Sequence, residues 1–524
     1  MESDAQMSDL LPTSPDATDP TWPERPRPLD DVAELARVQA VIAAGPYDET
    51  WESLAAYTVP DWFTDAKFGI FLHWGAYTVP AFGNEWYARN MYVVGTPEFE
   101  HHRATYGPQT DFGYKDFLPR FTAERWDPVD WAGLFRSAGA QFVVPVAEHH
   151  DGYAMYATNR SRWSTTTIGP HRDVIGDLAE AVRDRWLVLG VSSHRAEHWF
   201  FLNGGTAFPS DVTDPAFSDF YGPAQREELS PNEEYLIDWF LRTVELIDRY
   251  HPQVLWFDWW IEQPVFQPWL RKLAAYYYDV AASWGREVVI QYKWDAFAPG
   301  TAVLDLERGA MASIHPTVWQ NDTSIARTSW SWIPDHRYKT LPELVAELVD
   351  VVAKNGVLLL NIGPRADGTI ADEERELLTS IGDWLRVNGQ AIYGSHPWVI
   401  ASEGPTVEVE GSFIDAEERR FTARDVRFTV QERYGNARVY ATLLAWPEDG
   451  VARIEAFGSA AGHLGRPIHA VDLLGHPGEV RWTQTEAGLE VVLPETPPSS
   501  VGAVIRVTPE PLHPDRRLPF DHQL

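Results

Sequence analysis

The sequence predicts an α/β fold: a (β/α)8-like barrel followed by a C-terminal antiparallel β-sandwich. Two patterns carry this. Up to about residue 395, short continuous apolar runs alternate with amphipathic helical stretches. Continuous apolar runs suit strands of a parallel sheet covered on both faces. Beyond that point, apolar and polar residues alternate, with Gly, Asn and Pro at the breaks, which is antiparallel patterning. A doubly wound sheet is the alternative for the first part.

The runs are KFGIFLHW (67–74), QFVVPVAEHH (141–150), WLVLGVSSH (186–194), QVLWFDWW (253–260), EVVIQYKW (287–294), AVLDLE (302–307) and GVLLLNIGP (356–364). Between them lie helices with 3.6-residue spacing. YLIDWFLRTVELIDRY (235–250) places Ile237, Phe240, Val244 and Ile247 on one stripe, and LPELVAELVDVVAKNG (341–356) places Leu344, Leu348 and Val352 inward, with Gly356 as its expected C-terminal cap. The domain reading is a disordered acidic, Pro-rich tail at 1–30, the catalytic barrel at 31–395, the sandwich at 396–512 and a loop-like tail at 513–524. In the sandwich, Trp398, Trp446 and Trp482 read as core residues rather than a binding platform.

The chain has 524 residues, 43 Lys and Arg against 76 Asp and Glu, and a formal charge of −33. That balance excludes a basic nucleic-acid footprint and attraction to an anionic membrane. There is no cysteine, hence no disulfide, thiol nucleophile or thiolate zinc site. No apolar run approaches the roughly 20 residues of a membrane span. The N-terminus carries acids where a signal peptide needs basic residues, so the expected location is cytoplasmic. NDT at 321–323 matches a glycosylation sequon, which has no meaning without secretion. Aromatic residues reach 13%, with 24 Trp. Such rings fill cores, and they also stack on the apolar faces of sugars.

In a parallel barrel the chemistry collects at the C-terminal ends of the strands. The polar residues ending the runs are His73, then Glu148, His149, His150 and Asp151, then His194 and Glu197, then Asp258, Lys293 and Glu307. Asp258, inside LWFDWW, is the sharpest. A carboxylate among aromatics must be hydrogen-bonded, paired or functional, because burying it unsatisfied is expensive. Glu307, about two strands later, is its expected partner. Retaining glycosidases hold such a pair about 5–5.5 Å apart, one as nucleophile and one as acid/base. The histidines could also be read as a metal cluster. Neighbouring strand residues point to opposite sides, and no HExxH is present. His, Glu, Trp and Tyr suit sugar hydroxyls better, so no metal and no cofactor are expected.

These motifs resemble a known family. DAKFGIFLHWGAYTVPAFGNEWYARNMY (65–92) is similar to the N-terminal signature of α-L-fucosidases, glycoside hydrolase family 29. The likeness continues through VPVAEHHDGYAMYAT (144–158), LWFDWW (255–260), WQNDTS (319–324), KNGVLLLNIGPRADGTI (354–370) and GDWLRVNGQAIYGSHPW (382–398). The resemblance implies exo-acting hydrolysis of terminal α-L-fucosyl residues with retention, with Asp258 as nucleophile. It implies a fucose pocket lined by His73, Glu85, Trp86, His149 and His150, and His194, Lys293, Trp319 and Trp332 complete the expected sugar-binding set. Three positions depart from the family. Lys293-Trp294 stands where many members have Arg-Trp. Trp319-Gln320 stands where some have Trp-Glu with that Glu as acid/base; Gln cannot protonate a leaving group, so the role falls on Glu307, with Glu262, Glu287 and Glu197 as lesser candidates. The Ser-Trp-Gly-Tyr stretch reads as Ser331-Trp332 or Ser329-Trp330. These departures keep two alternatives open: a related glycosidase for an L-glucoside, galactoside or arabinoside, and a silent carbohydrate-binding protein. The expected partner is a fucosylated glycan or glycoside; oligomeric state stays open.

Overall fold

A computed structural model describes residues 22–406, 410–415, 418, 420–433 and 436–510. The tail expected at 1–21 and the one at 513–524 lie outside these residues. Eight parallel strands close a barrel in sequence order: β1 Phe68–Leu72, β2 Phe142–Glu148, β3 Val188–Ser193, β4 Val254–Phe257, β5 Val289–Tyr292, β6 Val303–Glu307, β7 Trp319–Ser324 and β8 Gly356–Ile362. The ring closes where β1 pairs with β8, Ile70 opposite Leu360.

Strand parity sorts the side chains. Phe71, Phe142, Val144, Val254, Trp256, Val289, Val303, Val357 and Leu359 form one cluster inside the ring, plugged by Phe63 and Ala66 of the short helix Asp61–Ala66. Their strand neighbours Ile70, Val143, Leu255, Ile290, Leu358 and Leu360 join the outer core between strands and helices. Because side chains alternate with period two, the inward columns continue 71 to 73, 254 to 258, 289 to 293 and 303 to 307. The interior therefore runs from apolar at the base to His73, Asp258, Lys293 and Glu307 at the mouth.

β7 is a strand the apolar-run criterion does not detect. Its sequence WQNDTS holds five polar residues, yet all six are buried. Inside the barrel the Gln320 amide donates to Asp305 at 2.6 Å and accepts from the Gln291 amide at 2.6 Å, while Thr323 donates to Asp415 at 2.7 Å. The 341–356 helix also ends earlier than expected. It spans Leu341–Ala353 with Lys354 as cap, Asn355 takes the left-handed turn at φ 72°, and Gly356 opens β8. Gly356 is required for space: an added Cβ would lie 2.5 Å from Val351 Cγ1. The opening turn follows the capping box of Thr340 and Glu343.

Part of the expected tail is packed. Trp22 meets Trp163 and Phe217 with ring centroids 5.4 and 5.7 Å apart. The apolar faces of those three rings explain why Trp22 docks, while 24–30 stay exposed.

The C-terminal part has two antiparallel sheets. One has the order β13-β16-β11-β10-β9, from β9 (His396–Glu403), β10 (Val426–Arg433), β11 (Asn436–Leu443), β13 (Ile468–Leu473) and β16 (Ala503–Pro509). The other has the order β12-β15-β14, from β12 (Val451–Ile454), β14 (Arg481–Gln484) and β15 (Leu489–Val492). Trp398 packs in their core against Phe428 and Phe457, whereas Trp482 is exposed. Arg427 on β10 ties this part to the barrel through an ion pair to Asp350, 2.5 Å, in the helix Leu341–Ala353. A second tie is the segment 410–415. Ala310 and Gly411 exchange two backbone hydrogen bonds at 3.1 Å, and Phe413 N donates to Glu307 O at 2.9 Å. Asp415 accepts from Lys339 at 2.6 Å and Thr323 at 2.7 Å.

Candidate active site

A cavity of about 240 Å³ opens at the C-terminal mouth of the barrel. His73, Glu85, Trp86, His149, His150, Asp258, Lys293 and Glu307 line it, so eight of the sequence-expected residues meet there. Both histidines after β2 reach it because the strand ends at Glu148 and His149-His150 lie in the following turn. Glu148 does not enter: the β2–β3 register slips between Val146 and Glu148, and its carboxylate pairs with Arg195 and Arg242.

Asp258 sits at the floor. Its Oδ2 accepts from His194 Nδ1 at 2.8 Å and faces His150 Nε2 at 3.4 Å; its Oδ1 accepts from Trp259 N at 2.8 Å. Burial pushes this carboxyl up, but the hydrogen bonds from His150 and His194 outweigh it and hold it well below the usual range. It is therefore ionised. His194 is lowered, chiefly by burial, and stays neutral. The bond to Asp258 puts its proton on Nδ1, leaving Nε2 to accept from Ser192 Oγ at 2.9 Å. His150 is the opposite case. Burial lowers it, yet Glu197, 3.2 Å from Nδ1, and Asp258 raise it to about 9, so it is a cation. Its partner Glu197 is pushed up to about 7 by burial.

In the same cavity, Glu307 accepts from Lys293 Nζ at 2.6 Å. Burial raises Glu307 to about 7 against the opposing Lys293 charge; Asp322 and Asp258 also raise it. Lys293 is held well above its usual value: burial opposes its charge, but Asp322 at 3.1 Å, Glu307 and Asp305 overcome that. Its Nζ also lies 5.1 Å from the centroid of Trp256, which lines the same cavity.

The remaining walls are imidazoles, the Glu85 carboxyl and rings. His73 Nδ1 bonds Asn361 Oδ1 at 2.8 Å, which joins β1 to β8 and leaves Nε2 as an acceptor. Burial holds His73 and His149 well below their usual pKa. His149 Nδ1 is buried without a hydrogen-bond partner among the described residues. Glu85 accepts from Trp330 N at 2.9 Å and from Ser329 Oγ at 3.3 Å, fixing the Trp330 wall. Of the two Ser-Trp readings, Ser329-Trp330 is the one at the cavity.

Two expected residues lie elsewhere. Trp319 has the wrong parity: Gln320 and Asp322 point into the barrel, so Trp319 points out, fully buried, its indole N–H donating to Lys354 O at 2.9 Å. Trp332 stacks beneath Arg365, 5.1 Å from its ring, away from the cavity lining. Gln320 lies two residues below Asp322, inside the barrel, so it does not occupy an acid/base position. His194 reaches the cavity only through Asp258. Asn84, Trp256, Trp259, Asp322, Trp330 and Phe413 also line the cavity. Strand parity could have found Trp256; Asp322 lies on the undetected β7, and nothing local in the sequence marks Phe413.

The ring nitrogens of His73, His149 and His194 lie within 4.8 Å of one another, as do ligand atoms of His150, His194 and Asp258. In this arrangement both His194 nitrogens are already engaged, by Asp258 and by Ser192. Neutral imidazoles, one with an unused nitrogen, beside a carboxylate and indoles suit the hydroxyls and apolar face of a sugar.

A closed parallel barrel with an ionised carboxylate, a near-neutral-pKa carboxyl and a sugar-sized cavity at its mouth defines a barrel glycoside hydrolase. The Alpha-L-fucosidase family profile matches residues 34–390, and the Alpha-L-fucosidase C-terminal domain profile matches 419–508. The human tissue alpha-L-fucosidase is 32% identical over 494 residues, covering 90% of this chain and 93% of that protein. The rat tissue enzyme is 31% identical over 463 residues, covering 87% and 90%. The Thermotoga maritima alpha-fucosidase, solved in complex with fucose, has a TM-score of 0.70 at 30% identity, covering 88% of this chain and 100% of that one. The chain belongs to the α-L-fucosidase family.

Proposed function

We propose that this protein hydrolyses terminal α-L-fucosides with retention, Asp258 acting as nucleophile and Glu307 as acid/base. The observation that carries the assignment is the contrast between the two carboxyls of one cavity, Asp258 held ionised and Glu307 raised to about 7. In the first step an Asp258 oxygen bonds to the anomeric carbon, the glycosidic C–O bond breaks with its electron pair, and the Glu307 proton goes to the departing oxygen. In the second, water attacks the same carbon, its proton passes to Glu307, and the ester bond breaks to restore the Asp258 carboxylate.

The electrostatics support that cycle. The Asp258 charge is one of the groups raising Glu307. Once Asp258 is esterified the charge is gone, so Glu307 becomes a stronger acid just when it must serve as a base. His150 and His194 stabilise Asp258 as it leaves with its negative charge. His73, His149 and Glu85 offer hydroxyl contacts, and Trp86, Trp256 and Trp330 offer ring faces.

Asp258→Ala should abolish turnover of a nitrophenyl α-L-fucoside while the fold is kept, with partial rescue by azide. Glu307→Ala should lose far more activity on poor leaving groups than on activated aryl fucosides; normal hydrolysis of both refutes its role. A panel of nitrophenyl α-L-fucoside, L-glucoside, galactoside and arabinoside tests the sugar, and preference for any but the fucoside refutes that part.

A further inference from the structure

A second cavity, of about 200 Å³, adjoins the first. The two share Trp259, Lys293, Glu307 and Phe413, so the second lies on the Glu307 side of the site. Its own additions are the apolar Trp294, Leu304 and Leu306 together with Asp305 and Ser412. Two of its rings stand open to solvent, Trp294 at 59% and Phe413 at 56% exposure. Both sit on left-handed backbone, φ 59° and 58°, a conformation bulky side chains rarely adopt.

Each ring is held from behind. Trp294 directly follows Lys293, which Asp322 and Glu307 fix in the barrel. Phe413 is carried by the C-terminal segment stapled to the rim: its own N–H bonds Glu307 O, and Ile414 N bonds Arg308 O at 2.9 Å. Arg308 in turn pairs with Asp415 at 3.2 Å and covers Trp330 at 4.6 Å. The same stretch of chain therefore fixes a wall of the sugar cavity and one exposed ring of its neighbour.

A general acid must lie within hydrogen-bond reach of the leaving oxygen. The group attached to that oxygen consequently projects past Glu307, where this second cavity begins. We propose that the cavity is the leaving-group subsite, and that Trp294 and Phe413 select aglycones presenting a six-membered ring with an apolar face. The inference rests on Glu307 being the acid of the proposed reaction. Ring-face stacking, not charge, is the recognition chemistry, and the volume suits one ring.

The test compares kcat/KM on three substrates: α-L-fucosyl fluoride, whose leaving group carries no ring, a nitrophenyl α-L-fucoside, and an α-L-fucosyl-galactose disaccharide. For Trp294→Ala, the two ring-bearing substrates should fall at least tenfold more than the fluoride, and Trp294→Phe should restore most of the loss. If only the aryl or only the disaccharide falls, the subsite stands and its occupant is identified. Equal losses on all three substrates, or no loss on any, overturn the inference. Failure of the unaltered enzyme to cleave fucosyl fluoride would instead overturn the proposed function.

Discussion

Lys293→Met isolates the control of Glu307. The ammonium lies 2.6 Å from the Glu307 carboxylate in a buried site and favours its ionised form. A hydrogen bond to a charged group is worth about 1.5–3 kcal/mol. At about 1.36 kcal/mol per pKa unit, its loss should raise Glu307 by about one to two units. The free-enzyme acid is lost as Glu307 deprotonates, so the basic limb of kcat/KM, expected at about 7 in the unaltered enzyme, should move up to about 8–9. The second step needs Glu307 ionised; because esterification of Asp258 has already lowered its pKa, release of the sugar at neutral pH should slow by less than the roughly tenfold to hundredfold that the shift alone would give. Azide, which needs no base, should recover part of that rate. The assay is a pH series of kcat/KM on a nitrophenyl α-L-fucoside, with burst kinetics at neutral pH. Asp322 also loses its cation in this variant, and removing one partner of a buried pair costs about 3–5 kcal/mol of stability. The series is therefore run well below the Tm of the variant. Lys293→Arg should keep the limb near its original position. A limb that stays put or moves down in Lys293→Met refutes the reasoning.

Two further predictions concern residues at different distances from the chemistry. His194→Ala removes the 2.8 Å donor to Asp258 and should cut kcat/KM roughly 10- to 150-fold, the equivalent of about 1.5–3 kcal/mol. Its acid limb should also rise, because Asp258 loses a group that holds it ionised; a change under about twofold with an unmoved limb sinks the positioning role. Trp319→Ala should cost about 3–5 kcal/mol of stability in a denaturant titration, as large aromatic truncations in cores do. Its KM on an aryl fucoside should not change, since the ring faces the helix layer; a raised KM would return Trp319 to the pocket.

Most of the barrel was legible because its strands advertise themselves through apolar continuity. β7 did not, since its inner column is amide and carboxylate and its outer column gives only Trp319, Asn321 and Thr323. The same strand explains the error at Trp319: without knowing that 319–324 is a strand, parity cannot be applied, and a Trp in a shared motif looks like a pocket wall. The strand-end residues Asp258, Lys293 and Glu307 reach the cavity because parity follows directly from their runs. Phe413 was illegible in principle. Its place depends on a segment some hundred residues beyond β6 pairing with Ala310 and Glu307, and no local period encodes that return. The packing of Trp22 is a similar case, a single ring finding two others far along the chain.

The bond between His73 and Asn361 has a consequence for biosynthesis. It crosses the seam where the first and last staves of the ring meet, so one wall of the sugar cavity does not exist until the eighth stave is in place. A chain leaving the ribosome carries Asp258, Lys293 and Glu307 long before residue 361 emerges, and during that interval it has the reactive groups without a closed chamber around them. The full lining of the sugar cavity therefore needs residue 361 as well as the groups that react.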